Sequence, residues 1–143
     1  MSNEATSTRS IKGSCLCGAV TLTMPSNGHV EACHCGMCRK WGGGPLLVLA
    51  LQGKPEITGA ENIGTYSSSE WAERGFCKNC GTHLYYHFKG QDQYGIPAGL
   101  FEDPSGFEMT EQIFIDKKPH YYDFANDTPK LTQQEVFAKF GVS

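Results

Sequence analysis

The sequence predicts a single, mainly β domain with little helix. The chain has 143 residues, of which 17 are glycine and 7 are proline, and this composition favours turn-rich β structure over a helical bundle. Three stretches support it: residues 19–24 alternate apolar and polar side chains, residues 46–51 are continuously apolar, and residues 83–88 form an aromatic run. A chain of this length can bury a core without disulfides.

In chain order, the polar residues 1–10 are predicted to be a disordered tail, residues 11–125 a single domain and residues 126–143 a C-terminal extension. Strands are predicted at residues 19–24, 30–35, 46–51, 83–88, 94–101 and 109–115. Turns are predicted at residues 25–28, at residues 102–106, and at Gly59 and Gly64 in a meander of short strands. The strand at residues 46–51 should be central and buried on both faces.

Little of the chain has a helical pattern. Residues 67–70 resemble a capping box, but Gly75 follows so closely that only a helical turn fits. Residues 132–135 carry a second capping box, and the apolar residues after it share one face up to Gly141, which predicts a short C-terminal helix. The three glycines of residues 42–44 predict a loop.

Charge and hydropathy exclude two classes of partner. The net charge is -3, with 12 basic and 15 acidic side chains and no basic run, which argues against nucleic-acid binding. The sequence has no apolar run long enough to span a bilayer and no apolar leader at the N-terminus, so no membrane partner is expected and we predict a cytoplasmic protein. Thiols stay reduced there, and clustered cysteines then indicate metal binding or thiol chemistry before disulfides.

The cysteines fall into groups of two, three and two, which chance would not produce. In order they are Cys15 and Cys17, then Cys33, Cys35 and Cys38, then Cys77 and Cys80. One four-cysteine site and one three-cysteine site would use every thiol. Spacing alone leaves other partitions open.

The central group has the spacing of a metal site. On an extended strand Cys33 and Cys35 face one side and His34 the other. Gly36, by taking a positive φ, would allow a turn that returns Cys38 to the same centre. Three ligands are one short of a closed structural zinc site, and an open fourth position is typical of a catalytic zinc.

The last group, Cys77 and Cys80 followed by Gly81, matches a zinc knuckle, in which the glycine takes the left-handed position. A thioredoxin-like redox pair would need a βαβ context, and the usual spacings of an iron-sulfur cluster are absent. Arg39 and Arg74 flank the clusters and either balance thiolate charge or bind an acidic substrate, and we favour the first role. Any histidine could supply a fourth ligand, although each alone is more often an ordinary surface or strand residue. These are His29, His34, His83, His87 and His120.

Three blocks of sequence resemble, in order, those of the glutathione-dependent formaldehyde-activating enzyme family, whose domain is shared with centromere protein V. They are residues 13–18 (GSCLCG), 33–40 (CHCGMCRK) and 74–82 (RGFCKNCGT), and weaker matches extend the resemblance over residues 11–124. The resemblance implies a mainly β zinc-binding fold of several short antiparallel sheets.

The resemblance also implies two Zn²⁺ ions per chain with different roles. The implied ligands are Cys15, Cys17, Cys77 and Cys80 for a structural zinc and Cys33, Cys35 and Cys38 for a catalytic zinc. The implied reaction joins formaldehyde to glutathione as S-hydroxymethylglutathione, and its reverse is that of a carbon-sulfur lyase.

Three functions compete on this basis. An open three-thiolate zinc can activate a thiol substrate or polarise an aldehyde carbonyl, which predicts an enzyme acting on a thiol adduct of an aldehyde. A non-catalytic zinc module for protein interaction would need only the closed site. A thiol redox or metal-buffering protein would use the same open cluster. The three central cysteines favour the enzyme.

Overall fold

Two β-sheets and two short helices make up the part of the chain that the computed structural model describes, residues 8–140. The helices are α1 Gly36–Gly42 and α2 Gln133–Phe140, and short 3₁₀ turns lie at Ala60–Asn62, Ala98–Leu100 and Ile115–Lys117. The strands are β1 Arg9–Ser14, β2 Thr21–Ser26, β3 His29–Cys33, β4 Leu46–Gln52, β5 Glu56–Thr58, β6 Ile63–Ser67, β7 Ala72–Cys77, β8 His83–Phe88, β9 Tyr94–Pro97, β10 Glu108–Ile113 and β11 Lys130–Leu131. The predicted mainly β fold is confirmed. None of the described helices has the length and apolar character needed to cross a membrane.

The larger sheet has eight strands in the order β11-β10-β3-β4-β9-β8-β7-β6, and the smaller has three in the order β1-β2-β5. Most neighbouring strands are antiparallel, as the resemblance implied. Strand β10, however, runs parallel to both β3 and β11. Residues 34–107 connect β3 to β10, which is far more than the dozen or so residues that a parallel pair requires for its crossover.

The side chains of β3 divide the larger sheet into two faces. Val30 is buried in the core, beside Leu49 of the neighbouring strand, whereas Glu31 and Cys33 line a cavity on the opposite face. This follows from the alternation of side chains along a strand. The core face packs against the smaller sheet. Its buried residues are Ile11, Cys15, Val20, Leu22, Met24, Val30, Leu49, Cys77, Leu84, Tyr94, Ile96, Leu100 and Phe101.

Strand β4 is central, as predicted, but it is not buried throughout. Val48 and Leu49 are buried, while Leu47 is 39% exposed. Strand β2 extends to Ser26, so it includes the first two residues of the turn predicted at residues 25–28. Pro25 is tolerated there because β5 pairs only with Thr21–Thr23, so the proline removes no hydrogen bond on that side.

The helical turn predicted at residues 67–70 is wrong. The amides of Ser68 and Ser69 donate to the carbonyl oxygen of Ala72 at 3.2 and 3.3 Å, in the turn that joins β6 to β7. Strand pairing has taken the backbone groups that a helix would use. Gly59 lies at a turn with φ 87°, as predicted, but Gly64 lies inside β6. A Cβ at Gly64 would approach the ring of Phe76 to 2.7 Å, so close packing explains this glycine.

The C-terminal helix and its capping box are confirmed. The amide of Thr132 donates to Oε1 of Glu135 at 2.8 Å, and the amide of Glu135 donates to Oγ1 of Thr132 at 3.2 Å. These reciprocal bonds satisfy two donors that the helix itself leaves free. The predicted stop at Gly141 lies outside the described residues.

The boundaries of the fold differ from the predicted ones at its N-terminal end. Strand β1 begins at Arg9, so residues 9 and 10, predicted as tail, pair with β2. Residues 1–7 of the predicted tail lie outside the described part. The predicted extension contributes β11 and α2, and β11 completes the edge of the larger sheet.

Candidate metal centres and their cavity

Four cysteines from two distant segments meet beside the core. Cys15 and Cys17 follow β1, Cys77 ends β7, and Cys80 lies beyond the next turn; their sulfurs all lie within 4.8 Å of one another. The Sγ atoms of Cys15 and Cys17 are 3.6 Å apart, and those of Cys17 and Cys77 are 3.8 Å apart. Tetrahedral zinc with bonds of about 2.3 Å requires about 3.8 Å between sulfurs. The four thiols therefore fit a closed zinc site.

Hydrogen-bonding groups contact two sulfurs of this four-cysteine group. The side-chain amide of Asn79 donates to Cys17 Sγ at 3.1 Å, and the hydroxyl of Thr82 lies 3.1 Å from Cys80 Sγ. The Thr82 hydroxyl, followed by the Thr82 amide, lowers the pKa of Cys80 to about 5. Hydrogen bonds to a charged sulfur stabilise the form that binds metal.

The knuckle turn has the predicted geometry. Gly81 has φ 83°, and its amide donates to the carbonyl oxygen of Cys77 at 2.7 Å. A residue with a Cβ rarely adopts this left-handed conformation. The turn therefore depends on the glycine to bring Cys80 back towards Cys77.

The second group joins Cys33, at the end of β3, with Cys35 and Cys38, and its three sulfurs also lie within 4.8 Å of one another. Helix α1 brings the last two together. Cys35 is its N-cap, and Cys35 Sγ accepts a hydrogen bond from the Cys38 amide at 3.4 Å. Residues three apart in a first helical turn share a face, which places both sulfurs beside Cys33.

The sequence analysis missed helix α1. Gly36, predicted to turn the chain with a positive φ, is its first helical residue, and Gly42, predicted in a loop, is its last. Gly43 takes the left-handed conformation instead, with φ 89°, and its amide caps the carbonyl of Arg39. A seven-residue helix with a glycine at each end has no apolar periodicity from which it could be recognised.

The three central sulfurs share charge unequally. Hydrogen bonds from Cys33 and then Cys38 lower the pKa of Cys35 to about 2. Hydrogen bonding to Cys35 raises the pKa of Cys33. The hydrogen bond between Cys38 and Cys33 lowers the pKa of Cys38. The hydrogen bond with Cys35, burial and the negative charge of Cys35 outweigh this effect and raise the pKa of Cys38 to about 11. These opposite shifts favour ionisation of Cys35 before the other two thiols, and a bound cation would favour the thiolate form of all three.

Arg74 is the cation closest to this group. It is 2% exposed, and its two terminal nitrogens lie 3.8 and 3.7 Å from Cys38 Sγ. Its guanidinium also lies over the ring of Tyr86, with 5.1 Å to the centroid. Arg39, in contrast, donates from Nε to the carbonyl oxygen of His34 at 3.0 Å. The charge-balancing role suggested for both arginines therefore fits Arg74.

The histidines lie outside both sulfur groups. His34 is fully buried, on the opposite side of the strand from its cysteine neighbours, as predicted. Its Nε2 donates to Oε1 of Gln112 at 2.9 Å, and Nδ1 then accepts from the Tyr122 hydroxyl at 2.7 Å. Gln112 in turn donates to Thr128 at 3.2 Å. Sequence reasoning missed this network, because its members are far apart in the chain.

A cavity of about 410 Å³ opens above the three central cysteines. The four-cysteine group does not line it. Helix α2, the turn after β6 and the open face of the larger sheet form its walls. The lining residues are Glu31, Cys33, Cys35, Gly36, Met37, Cys38, Leu46, Val48, Ser68, Ser69, Trp71, Arg74, Tyr86, Phe88, Gly95, Ile113, Phe114, Lys117, Gln133, Val136 and Phe137.

The fold and the two sulfur groups define a class: β-rich domains with one cysteine cluster beside the core and a second facing a cavity, both with donors that could hold a metal ion. Residues 10–117 match the family described as glutathione-dependent formaldehyde-activating enzyme. The chain belongs to this family, as the sequence blocks suggested.

Individual relatives agree with this assignment. An uncharacterized lyase of Schizosaccharomyces pombe is 42% identical over 127 residues, which cover 87% of this chain and 93% of the relative. A putative glutathione-dependent formaldehyde-activating enzyme of Podospora anserina is 32% identical over 71% of this chain, and the match spans 52% of that longer relative. The crystal structure of a Rhodobacter sphaeroides protein superposes with a TM-score of 0.53 at 25% identity, covering 64% of this chain and 88% of that one.

Proposed function

We propose that this protein is a zinc-dependent carbon-sulfur lyase acting on the adduct of an aldehyde with glutathione or another thiol, in the manner of an S-hydroxymethylglutathione synthase. The observation that carries the proposal is the position of the three central sulfurs. They lie together in the wall of a cavity large enough for a small molecule, whereas the other four cysteines lie apart from it. A site that serves structure alone has no need of a cavity.

The donor sets fit two zinc ions with different roles. Cys15, Cys17, Cys77 and Cys80 supply four sulfurs and leave no position free, which suits a structural ion. Cys33, Cys35 and Cys38 supply three sulfurs on the cavity side, which suits a catalytic ion. Zinc bound there would act as a Lewis acid. It would lower the pKa of a bound thiol, or would polarise the carbonyl group of a bound aldehyde.

The reaction is a reversible addition. The sulfur of the thiol forms a bond to the aldehyde carbon as the carbonyl π bond breaks, and the thiol proton ends on the former carbonyl oxygen. In the lyase direction the carbon-sulfur bond breaks and the hydroxyl proton returns to sulfur. The guanidinium group of Arg74 supports this chemistry, because its contact with Cys38 Sγ places a positive charge beside the negatively charged sulfurs.

Glutathione and formaldehyde enter the proposal from the family description and from the names of the curated relatives. We propose the cytoplasm as the compartment, because none of the seven cysteines forms a disulfide in the structure and reduced cysteines persist where glutathione protects them.

Zinc content and turnover, measured together, test the proposal. The wild type should hold about two zinc ions per chain and catalyse exchange between glutathione, formaldehyde and their adduct. Cys35→Ser should hold about one ion, keep its circular dichroism spectrum and lose turnover. Cys17→Ser, at an exposed position of the other group, serves as the matched control and should weaken the fold. Full turnover by Cys35→Ser would remove the catalytic role of the three-cysteine group.

A further inference from the structure

The cavity above the central cysteines is lined mainly by aromatic and aliphatic side chains. Five of the lining residues are aromatic, and they lie on β8, on the turn before β7, directly after β10 and on α2. They are Trp71, Tyr86, Phe88, Phe114 and Phe137. An apolar wall of this kind stabilises a ligand by removing apolar surface from water.

The cavity has few charged side chains, and Arg74 among them already contacts other groups of the protein. Arg74 contacts Cys38 and the Tyr86 ring, and Glu31 adds a carboxyl group beside the cysteines. Lys117 is exposed. Glutathione carries two carboxylates and an ammonium group, and burying them in this cavity without partners would be costly. The peptide part of a glutathione adduct therefore fits at the mouth of the cavity, near Lys117, and not against the aromatic wall.

The wall next to α2 is held in place by several contacts. The rings of Phe114 and Phe137 meet edge to face with centroids 5.9 Å apart. Phe114 has φ 57°, a left-handed conformation that bulky residues rarely adopt, and the surrounding contacts must hold it there. The amide of Gln133 donates to Oδ1 of Asp116 at 2.9 Å, and Val136 is buried. These contacts join α2 to the rest of the cavity wall.

Helix α2 also lies beyond residues 10–117, the part that the family model matches. The apolar wall that α2 contributes therefore lies outside the part of the chain that the family model matches, on the side of the three-cysteine group. Formaldehyde, with a single carbon, would leave this wall in contact with water. A larger apolar group on the aldehyde carbon would cover it.

We propose that the aldehyde part of the substrate carries an aromatic or long-chain alkyl group, which binds between α2 and the open face of the larger sheet. This inference rests on the proposed function. The thiol part extends toward the cavity mouth. Phe137 then determines the specificity for the aldehyde part, because its ring forms part of the apolar wall that α2 contributes.

Two stable thioethers test this inference by binding alone. S-hexylglutathione and S-methylglutathione carry the same peptide and differ only in their alkyl groups. In calorimetric titrations of the zinc-loaded wild type, the hexyl compound should bind roughly tenfold more tightly or better. Phe137→Ala should remove most of this preference and leave the affinity for S-methylglutathione nearly unchanged.

Two variants control for loss of folding and for unspecific effects. Phe137→Leu keeps an apolar side chain and should retain most of the preference. Tyr121→Ala removes an aromatic ring that is 67% exposed and does not line the cavity, so it should behave as wild type. Thermal melts of each variant show whether the fold is intact.

The outcomes separate this inference from the proposed function. Equal affinities for the two thioethers, no binding of either, or a preference that survives Phe137→Ala would overturn the inference, even if formaldehyde is turned over. A preference that depends on Phe137, with no turnover of formaldehyde or of hexanal in the presence of glutathione, would support the apolar binding site beside α2 but overturn the proposed function, and with it the assignment of the bound group to an aldehyde.

Discussion

At the scale of single residues, the structure assigns unlike surroundings to cysteines that look alike in the sequence. Cys77 is fully buried against the core, whereas Cys35 lies at a helix N-cap beside the cavity. These two environments follow from the segments that carry the cysteines, because Cys77 ends a strand of the larger sheet and Cys35 caps the start of a helix. Their substitution should therefore have different consequences.

Cys77→Ser should leave the protein unfolded or insoluble. Structural zinc in small domains contributes on the order of 10 kcal/mol, which is comparable with the entire stability of a domain. Circular dichroism and thermal melting would measure the loss. Cys35→Ser is the matched control and should melt close to wild type. A soluble Cys77→Ser protein with an unchanged melting temperature would contradict the structural role of the four-cysteine group.

Gln112→Leu should destabilise the protein by about 1–3 kcal/mol, because it leaves the buried Nε2 of His34 and the hydroxyl of Thr128 without a partner. Urea denaturation would measure the change. Gln134→Leu, on the exposed side of α2, has no such partners to lose and should change stability by less than about 0.5 kcal/mol. Equal effects of the two substitutions would show that the His34 network contributes nothing.

At the scale of elements, the two helices differ in how their beginnings are secured. Helix α1 uses a cysteine sulfur as its cap, so the helix and the three-cysteine group form together. Helix α2 uses the reciprocal bonds of Thr132 and Glu135, which are independent of any metal. The second helix can therefore be weakened without affecting either sulfur group.

Thr132→Ala should cost about 1 kcal/mol, the usual value of an N-cap. The loss should appear as a lower urea midpoint with the zinc content unchanged. Thr65→Ala, at an exposed position of β6, is the control and should have a smaller effect. If Thr132→Ala released zinc, α2 and the sulfur groups would be coupled more closely than the contacts indicate.

The elements that the sequence predicted well are those with local signals. The capping box of α2, the aromatic strand β8 and the knuckle turn at Gly81 are each encoded within a few residues. Helix α1 was missed because its cap is a cysteine and its body holds two glycines. The parallel pairing of β3 with β10 has no local signal either, because residues 34–107 separate the two strands. The cavity wall was missed for the same reason, since α2 reaches it only through the fold.

At the scale of the whole molecule, the fold places the two sulfur groups in separate environments. The larger sheet carries apolar core residues on one face and the cavity with the three-cysteine group on the other. The family resemblance implied groups of four and three thiols, and the sulfurs lie together in these groups in the structure. The sequence could not reveal that only the second group faces a cavity. This separation is the central claim, because it predicts two metals that can be removed independently.

Stepwise chelation tests this claim most directly. Zinc release per chain is followed with a colorimetric indicator while circular dichroism records the fold and an exchange assay records turnover. We predict that a mild chelator removes about one zinc first, from the group with three sulfurs, and abolishes turnover while the fold persists. The second zinc should leave only under harsher conditions, with unfolding. Release of both ions in a single step together with unfolding, or turnover that persists after the first ion has left, would contradict the account.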